Sequence, residues 1–349
     1  MRPLYHRQLL WLLLILLPLG LMAGLLSGAV FVTPATFVAT LGDWLSGEYS
    51  REALILFSIR LPRLVLAALL GMVLAGAGAA MQGLFRNPLA DPSLIGVASG
   101  ASAGAGFVVV FCGGLLTGVT VDWLGMSLVA VGAFLGGFVS VLLVYRLATT
   151  QAGTSVSTML LAGIAITALA GALNSLFGFF ADNDTLRRIS LWQMGSLEGA
   201  NWQRVGFIAV AATVMAVMLP RLSQPLNALL LGESEARHLG VNVETLKRRV
   251  ILLTAFAVGI GVATAGIVAF VGLMVPHWVR LLIGPDHRHL IPCSLLMGAL
   301  FVVVADTLAR VLILPAELPT GVITALVGAP FFVSLLIQQR RRQVGGVLP

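Results

Sequence analysis

The chain is expected to be an all-α polytopic membrane protein with about ten transmembrane helices. Three observations carry that expectation. Only 10% of its 349 residues are charged and 58% are hydrophobic, where soluble domains carry about 25% charged residues. The mean hydropathy is +1.01. Apolar stretches of about 20 residues recur along the chain, each long enough to cross a hydrocarbon core of about 30 Å. A transmembrane barrel would show short segments of alternating polarity instead, and none is visible.

The first apolar run, 9–30, follows Arg2 and Arg7 and so has the look of a secretory signal. It is longer than the roughly 7–15-residue apolar core of such a signal and lacks a clean A-x-A exit, so it is read as an uncleaved first span. Further spans are expected at 62–83, 94–112, 125–145, 158–180, 203–220, 249–267, 269–282, 291–309 and 319–338. The eighth is short, and its boundary with the seventh is soft. Ten spans put both termini on one side. With that side inside, 14 of the 21 Lys and Arg fall in inner segments and 7 in outer ones, which is the bias of cytoplasmic termini. The same scatter accounts for the net charge of +7 better than nucleic-acid binding does.

The spans share a texture. Ala67, Gly71, Ala75, Ala79 and Gly83 repeat every four residues, as do Gly96, Gly100 and Gly104, and later Gly321, Ala325 and Ala329. Small residues at this spacing let helix backbones approach closely in lipid. Arg63-Leu-Val-Leu and Arg249-Val-Ile-Leu each open a Gly/Ala-rich span that runs on to a Pro-containing turn, a weak sign of the inverted repeats found in transporters.

Most chemistry is excluded by inspection. Gly100-Ala-Ser102-Ala-Gly104 matches a G-x-S-x-G nucleophile elbow, but it lies in a helical stretch where that motif needs a strand, a turn and a helix. The single lysine, Lys247, follows leucine, so no P-loop can be written; uphill transport would need another chain to bind nucleotide. Cys112 and Cys293 stand alone and suggest neither a disulfide nor a metal motif. Asp306 is the only carboxylate well inside a late span, and such a residue more often pairs than relays protons. No catalytic group and no metal site is expected.

Two polar interruptions remain. "RNPLADPS" (86–93) places an arginine, an aspartate and two prolines between apolar spans. Pro88 and Pro92 hold their predecessors extended, and Ser93 is a candidate cap for the next helix. The longest polar stretch, 220–249, contains "GESEARHLG" (232–240). With almost no other polar mass in the chain, a helical loop of this length suggests a docking surface.

These residues are familiar as a set. "IRLPR" (59–63), "MQGLFRNPLADPSLIGVASGA" (81–101), "GESEARHLG" (232–240), "FVGLMVPHWVRLLIGPDHRHLIP" (270–292) and "ELPTGVITALVGAPFFVSLL" (317–336) resemble the FecCD-type permeases, membrane subunits of ABC importers for iron chelates and vitamin B12. The resemblance spans about 50–338. It implies the type II ABC importer permease fold as a single domain over 1–349, in a homodimer lying in the bacterial inner membrane. Its implied partners are two cytoplasmic ATPase subunits and a periplasmic binding protein. No cofactor would be bound by this chain, and ATP-Mg would sit on the partner ATPase. It also implies residue roles. In the coupling loop 221–249, Glu233, Glu235, Ala236, Arg237, Leu239 and Gly240 would contact the ATPase. Arg60 and Arg310 would be exposed forks for glutamates of the binding protein, with Arg63 serving the fold. Asn87, Pro88 and Leu89 would line the cytoplasmic gate together with Ser155, Val156 and Ser157. Arg187 and Arg188, in the outer loop 181–202, are candidate contacts for an anionic cargo. The expected cargo is an intact iron chelate, haem slightly ahead of a ferric siderophore or cobalamin. A passive channel, the alternative of a different class, would need a polar ring along a pore.

Overall fold

The computed structural model describes residues 5–30, 32–47, 50–112, 122–151 and 153–345; Arg2 lies outside them. Helices α1 (His6–Leu26) and α2 (Pro34–Ser46) are followed by a 34-residue helix, α3 (Arg51–Leu84). Then come α4 (Val97–Phe111), α5 (Asp122–Ala148), α6 (Val156–Phe180), α7 (Asn183–Gln193), α8 (Trp202–Met218), α9 (Ser223–Leu230) and α10 (Glu233–His238). The last four are α11 (Val243–Ala265), α12 (Val271–Ile283), α13 (His287–Val311) and α14 (Thr320–Gly345). Among the described residues, eight helices are long and apolar enough to cross a membrane, and α4 and α12 are shorter apolar ones. Each of the ten expected spans therefore meets a helix.

α3 is the hub. Of its most apolar window 78% is buried, against 22% for α1 and α6, and it packs on α8, α11, α12 and α13. It starts eleven residues before the span drawn at 62. Pro62 has no N–H and its ring needs room one turn back, where the helix widens into a π-turn at Leu54–Arg60. α2, missing from the sequence reading, carries ordinary signals. Thr33 caps its N-terminus through the Thr36 amide, Pro34 opens it, and Gly47 closes it at φ 85°.

Small residues set the helix contacts as their spacing predicts. A Cβ on Gly71 would lie 2.0 Å from the Gly298 carbonyl oxygen, and one on Gly104 2.0 Å from that of Gly132. These glycines seat α3 on α13 and α4 on α5 at backbone contact. The soft border between the seventh and eighth spans is a break at 266–270, where Gly266 (φ 70°) and Phe270 (φ 67°) are both left-handed.

Arg63 and Gln82 lie near opposite ends of the buried part of α3. Nineteen residues at about 1.5 Å rise separate them by about 28 Å, close to one hydrocarbon thickness. The two ends carry different chemistry.

Candidate functional site

At the Arg63 end, α1 stops at Leu26, leaving its last carbonyls without helical partners. Two arginines from elsewhere fill that role. Arg60 donates to the carbonyl of Leu25 at 2.8 Å and to that of Val30. Arg310 donates to Gly24 at 2.9 Å and Ser27 at 3.0 Å. Cations belong at a helix C-terminus, where the dipole is negative. Behind them Asp306, fully buried, accepts from Arg63 Nε at 3.0 Å, Arg310 Nε at 3.2 Å and the Thr320 hydroxyl at 3.0 Å. Arg63 also pairs with Glu317. Asp306 thus pairs rather than relaying protons, and Arg63 serves the fold. The expectation of exposed forks at Arg60 and Arg310 is corrected: they are 6% and 4% exposed, because the open carbonyls of α1 take their N–H groups.

At the opposite end, the turn after α3 is built as the prolines suggest. Asn87 Oδ1 accepts from the Leu89 amide at 2.9 Å, and Asp91, extended before Pro92, accepts from the Ser93 amide at 2.8 Å. Asp91, not Ser93, is therefore the capping residue, and it caps the short turn Pro92–Ile95; α4 itself starts after Gly96 with no side-chain cap. Asn87 and Pro88 are exposed and Leu89 half-buried, and the Pro88 carbonyl faces the His277 imidazole. Leu89, Asp91 and Pro92 line a 280 Å³ cavity with Phe270 and Val258. Burial pushes the Asp91 carboxyl above its ordinary range, against the hydrogen bonds from Ser93.

Ser155 and Ser157 are exposed and Val156 half-buried. Ser155 caps α6 through the Thr158 amide. A two-stranded hairpin leads into this cap, with Thr149 paired to Thr154 and Thr150 to Gly153.

The 232–240 stretch is a formed element. Gly232, at φ 130°, opens α10, whose first turn holds Glu233 and Glu235 and whose last holds Arg237 and His238. Its exit is a Schellman turn: the Val241 amide reaches the Ala236 carbonyl and the Gly240 amide reaches that of Arg237, both at 2.9 Å, with Gly240 at φ 83°. Glu235, Arg237, Leu239 and Gly240 are exposed, Leu239 at 64%. Ala236 is 0% exposed, so the expectation that it contacts a partner is corrected; it packs inward and supports the face above it. Glu233 is also turned inward, 2.9 Å from Lys247 Nζ. α9 is held by Asn227, which donates to Asp286 at 2.6 Å and accepts from the His287 amide at 2.9 Å.

Arg187 and Arg188 lie on α7, both exposed, behind the Asp182 cap. The Thr185 hydroxyl and amide hold the Asp182 carboxyl below its usual range. Ser102 sits inside α4 and receives Asn174 at 3.2 Å and Gln193 at 3.1 Å, which removes the nucleophile-elbow geometry. Among the described residues, no three His, Cys, Asp or Glu converge as metal ligands.

The residues that sequence reasoning passed over are the anchors of these elements: Lys247, Glu244, Thr154, Glu317 and Thr320. Lys247 alone carried a signal, as the one lysine in the chain.

The sequence profile of the FecCD transport family matches residues 12–338. The chain belongs to the FecCD transport family. Among relatives, it is 43% identical over 289 residues to the hemin transport system permease protein HmuU of Yersinia pestis, covering 82% of this chain and 84% of that one. It is 38% identical over 340 residues to the vitamin B12 import system permease protein BtuC of Salmonella typhi, covering 96% and 97%. A solved structure described as an inward-facing metal-chelate type ABC transporter superimposes with a TM-score of 0.82 at 32% identity, covering 95% of this chain and 99% of the other. This FecCD chain thus has the all-α, multi-pass fold of an ABC transporter permease.

Proposed function

We propose that this FecCD chain is the permease subunit of an ATP-driven importer, one domain over 1–349, that passes an intact iron chelate, haem first, across the bacterial inner membrane. The family match over 12–338 carries this reading, and the 43% identity to a hemin permease favours haem. The permease works as a homodimer with both termini cytoplasmic. It is not an enzyme: two ATPase subunits hold ATP-Mg and hydrolyse it, and this chain holds no cofactor. The absence of a P-loop supports that division. The ATPase meets Glu235, Arg237, Leu239 and Gly240, within the coupling segment 221–249. Glu233 and Ala236 brace that face from within. The cytoplasmic gate is formed by 87–89 and 155–157.

The periplasmic binding protein delivers cargo to the Arg63 end, where Arg60 and Arg310 act by bracing α1 beneath that surface. Arg187 and Arg188 steer an anionic cargo, since exposed guanidinium groups attract carboxylates.

A second reading, cobalamin import, is favoured by the 38% identity to a vitamin B12 permease over 96% of the chain. The deciding experiment reconstitutes the chain in liposomes with its ATPase and binding protein. Uptake of haem, a ferric siderophore and cobalamin is then measured with and without ATP. ATP-dependent uptake of haem supports the first reading, and of cobalamin the second. Uptake without the ATPase would make the chain a channel.

A further inference from the structure

Lys247 is the one lysine of the chain, and it is buried, 3% exposed, in the first turns of α11. Taking an ammonium out of water costs several kcal/mol unless it is well paired, so its neighbours explain its position. Nζ donates to Glu233 at 2.9 Å, to the Thr154 carbonyl at 2.8 Å and to Glu244 at 3.3 Å. An ammonium has three donors, and all three are in use. The acceptors come from three elements: Glu233 opens α10, Thr154 ends the hairpin after α5, and Glu244 lies one turn before Lys247 on α11. Glu244 completes the grip, its other oxygen accepting from the Thr154 amide at 2.9 Å. Thr154 is thus held at both backbone groups.

The hairpin passes this grip in both directions. The Thr149 hydroxyl meets that of Thr154 at 3.0 Å and donates to the Tyr145 carbonyl at 2.7 Å, on α5. The next residue, Ser155, caps α6. One ammonium therefore stands between the exposed docking helix and the hairpin that joins the end of α5 to the start of α6.

We propose that Lys247 is the positioning residue that couples α10 to the 149–157 hairpin, so that a partner docking on one is felt at the other. This rests on the ATPase-docking reading of α10. If burial alone were required, an apolar side chain of the same length would serve; a lysine with three directed bonds fixes the relative position of three segments.

Hydrogen exchange read by mass spectrometry tests this without any cargo. The chain in nanodiscs is compared alone and with the ABC ATPase encoded with it, as wild type, Lys247→Met and Glu244→Ala. Glu244 is partly exposed, so its variant keeps the test available if Lys247→Met does not fold. In the wild type, ATPase binding is expected to slow exchange at least about fivefold in both 233–239 and 149–157, the lower range of ordinary site coupling. In the variants the 233–239 response remains and the 149–157 response is lost. A folded variant in which both segments still respond as in the wild type overturns the proposal. So does a Lys247→Met chain that binds no ATPase while Glu244→Ala responds normally, since Lys247 would then only support the dock. A wild-type chain with no protection at 233–239 defeats the docking reading itself, and the proposal with it.

Discussion

Replacing Asp306 by asparagine is the sharpest test of the packing at the Arg63 end. The carboxylate is fully buried and accepts from Arg63, Arg310 and Thr320 at 3.0–3.2 Å. Asparagine has nearly the same shape, so no cavity opens. It keeps one acceptor oxygen, loses the charge, and turns an NH₂ toward two guanidinium groups left without their buried carboxylate. Arg63 retains Glu317, and Arg310 retains the carbonyls of Gly24 and Ser27. Breaking a buried pair by removing one partner costs about 3–5 kcal/mol, because the remaining charge stays buried. In a chain of this size about 2 °C of melting temperature corresponds to each kcal/mol, so a drop of about 6–10 °C is expected. The assay is intrinsic-fluorescence melting of the detergent-purified protein at one fixed scan rate, since unfolding here is expected to be irreversible. Glu317→Gln is the control. Its side chain is 41% exposed, and a pair so placed contributes less than about 1 kcal/mol. A melting temperature for Asp306→Asn within 2 °C of wild type, or a larger loss for Glu317→Gln, would refute the account of this network.

Four further outcomes are expected. Arg60→Glu places a carboxylate against the carbonyls of Leu25 and Val30, so it should abolish recovery of folded protein; a folded variant with only weakened binding-protein docking would restore the exposed-fork reading. Gly78→Ala puts a Cβ 1.8 Å from the Gly272 carbonyl and should cost about 1–3 kcal/mol by overpacking, while Gly206→Ala, with nothing within 4 Å, should be neutral or stabilising by the same melting assay. Glu235→Arg, on the exposed face of α10, should leave the melting temperature unchanged and weaken ATPase binding in a pull-down; unchanged binding and uptake would count against the docking face. Asp91→Asn keeps a competent cap and removes a carboxylate whose folded-state pKa is raised by burial. A raised carboxyl pKa costs stability above that pKa, and the cost disappears as pH falls through it. The variant should therefore melt at or above the wild type at pH 7, with the difference closing on acidification; a less stable variant at pH 7 would reverse the sign.

What was legible in the sequence follows from the solvent. Lipid forces every backbone polar group to be satisfied within its own helix, so hydropathy alone placed a helix at each expected span, eight of them among the described residues long and apolar enough to cross a membrane, and small-residue spacing located the contacts at Gly71, Gly100 and Gly104. The turn at 86–93 was legible for a similar reason, since Pro88 and Pro92 constrain their neighbours locally. α2 was missed although Thr33, Pro34 and Gly47 mark its ends, because a 13-residue amphipathic helix between spans offers no membrane-length signal. The early start of α3 was missed because Arg60, Pro62 and Arg63 read as a loop, whereas the π-turn lets the helix run through them.

The side chains that were misread share one cause. A sequence displays donors, but it does not display the acceptors left open by the ends of helices. Arg60 and Arg310 looked exposed because charge near a span boundary usually is; the carbonyls they satisfy belong to the end of α1 and the segment just after it, about 30 and 280 residues away along the chain. Lys247 stood out only as the single lysine, and its structural role was hidden for the same reason, its acceptors lying 93, 14 and 3 residues away. In a chain with so few charges, each one has to be matched to an open carbonyl or a carboxylate before it is assigned to a partner. On that criterion Glu235, exposed on α10, is a better docking candidate than Glu233, which is matched to Lys247 and Arg237, and the buried arginines of the Arg63 end are already matched to carbonyls and carboxylates.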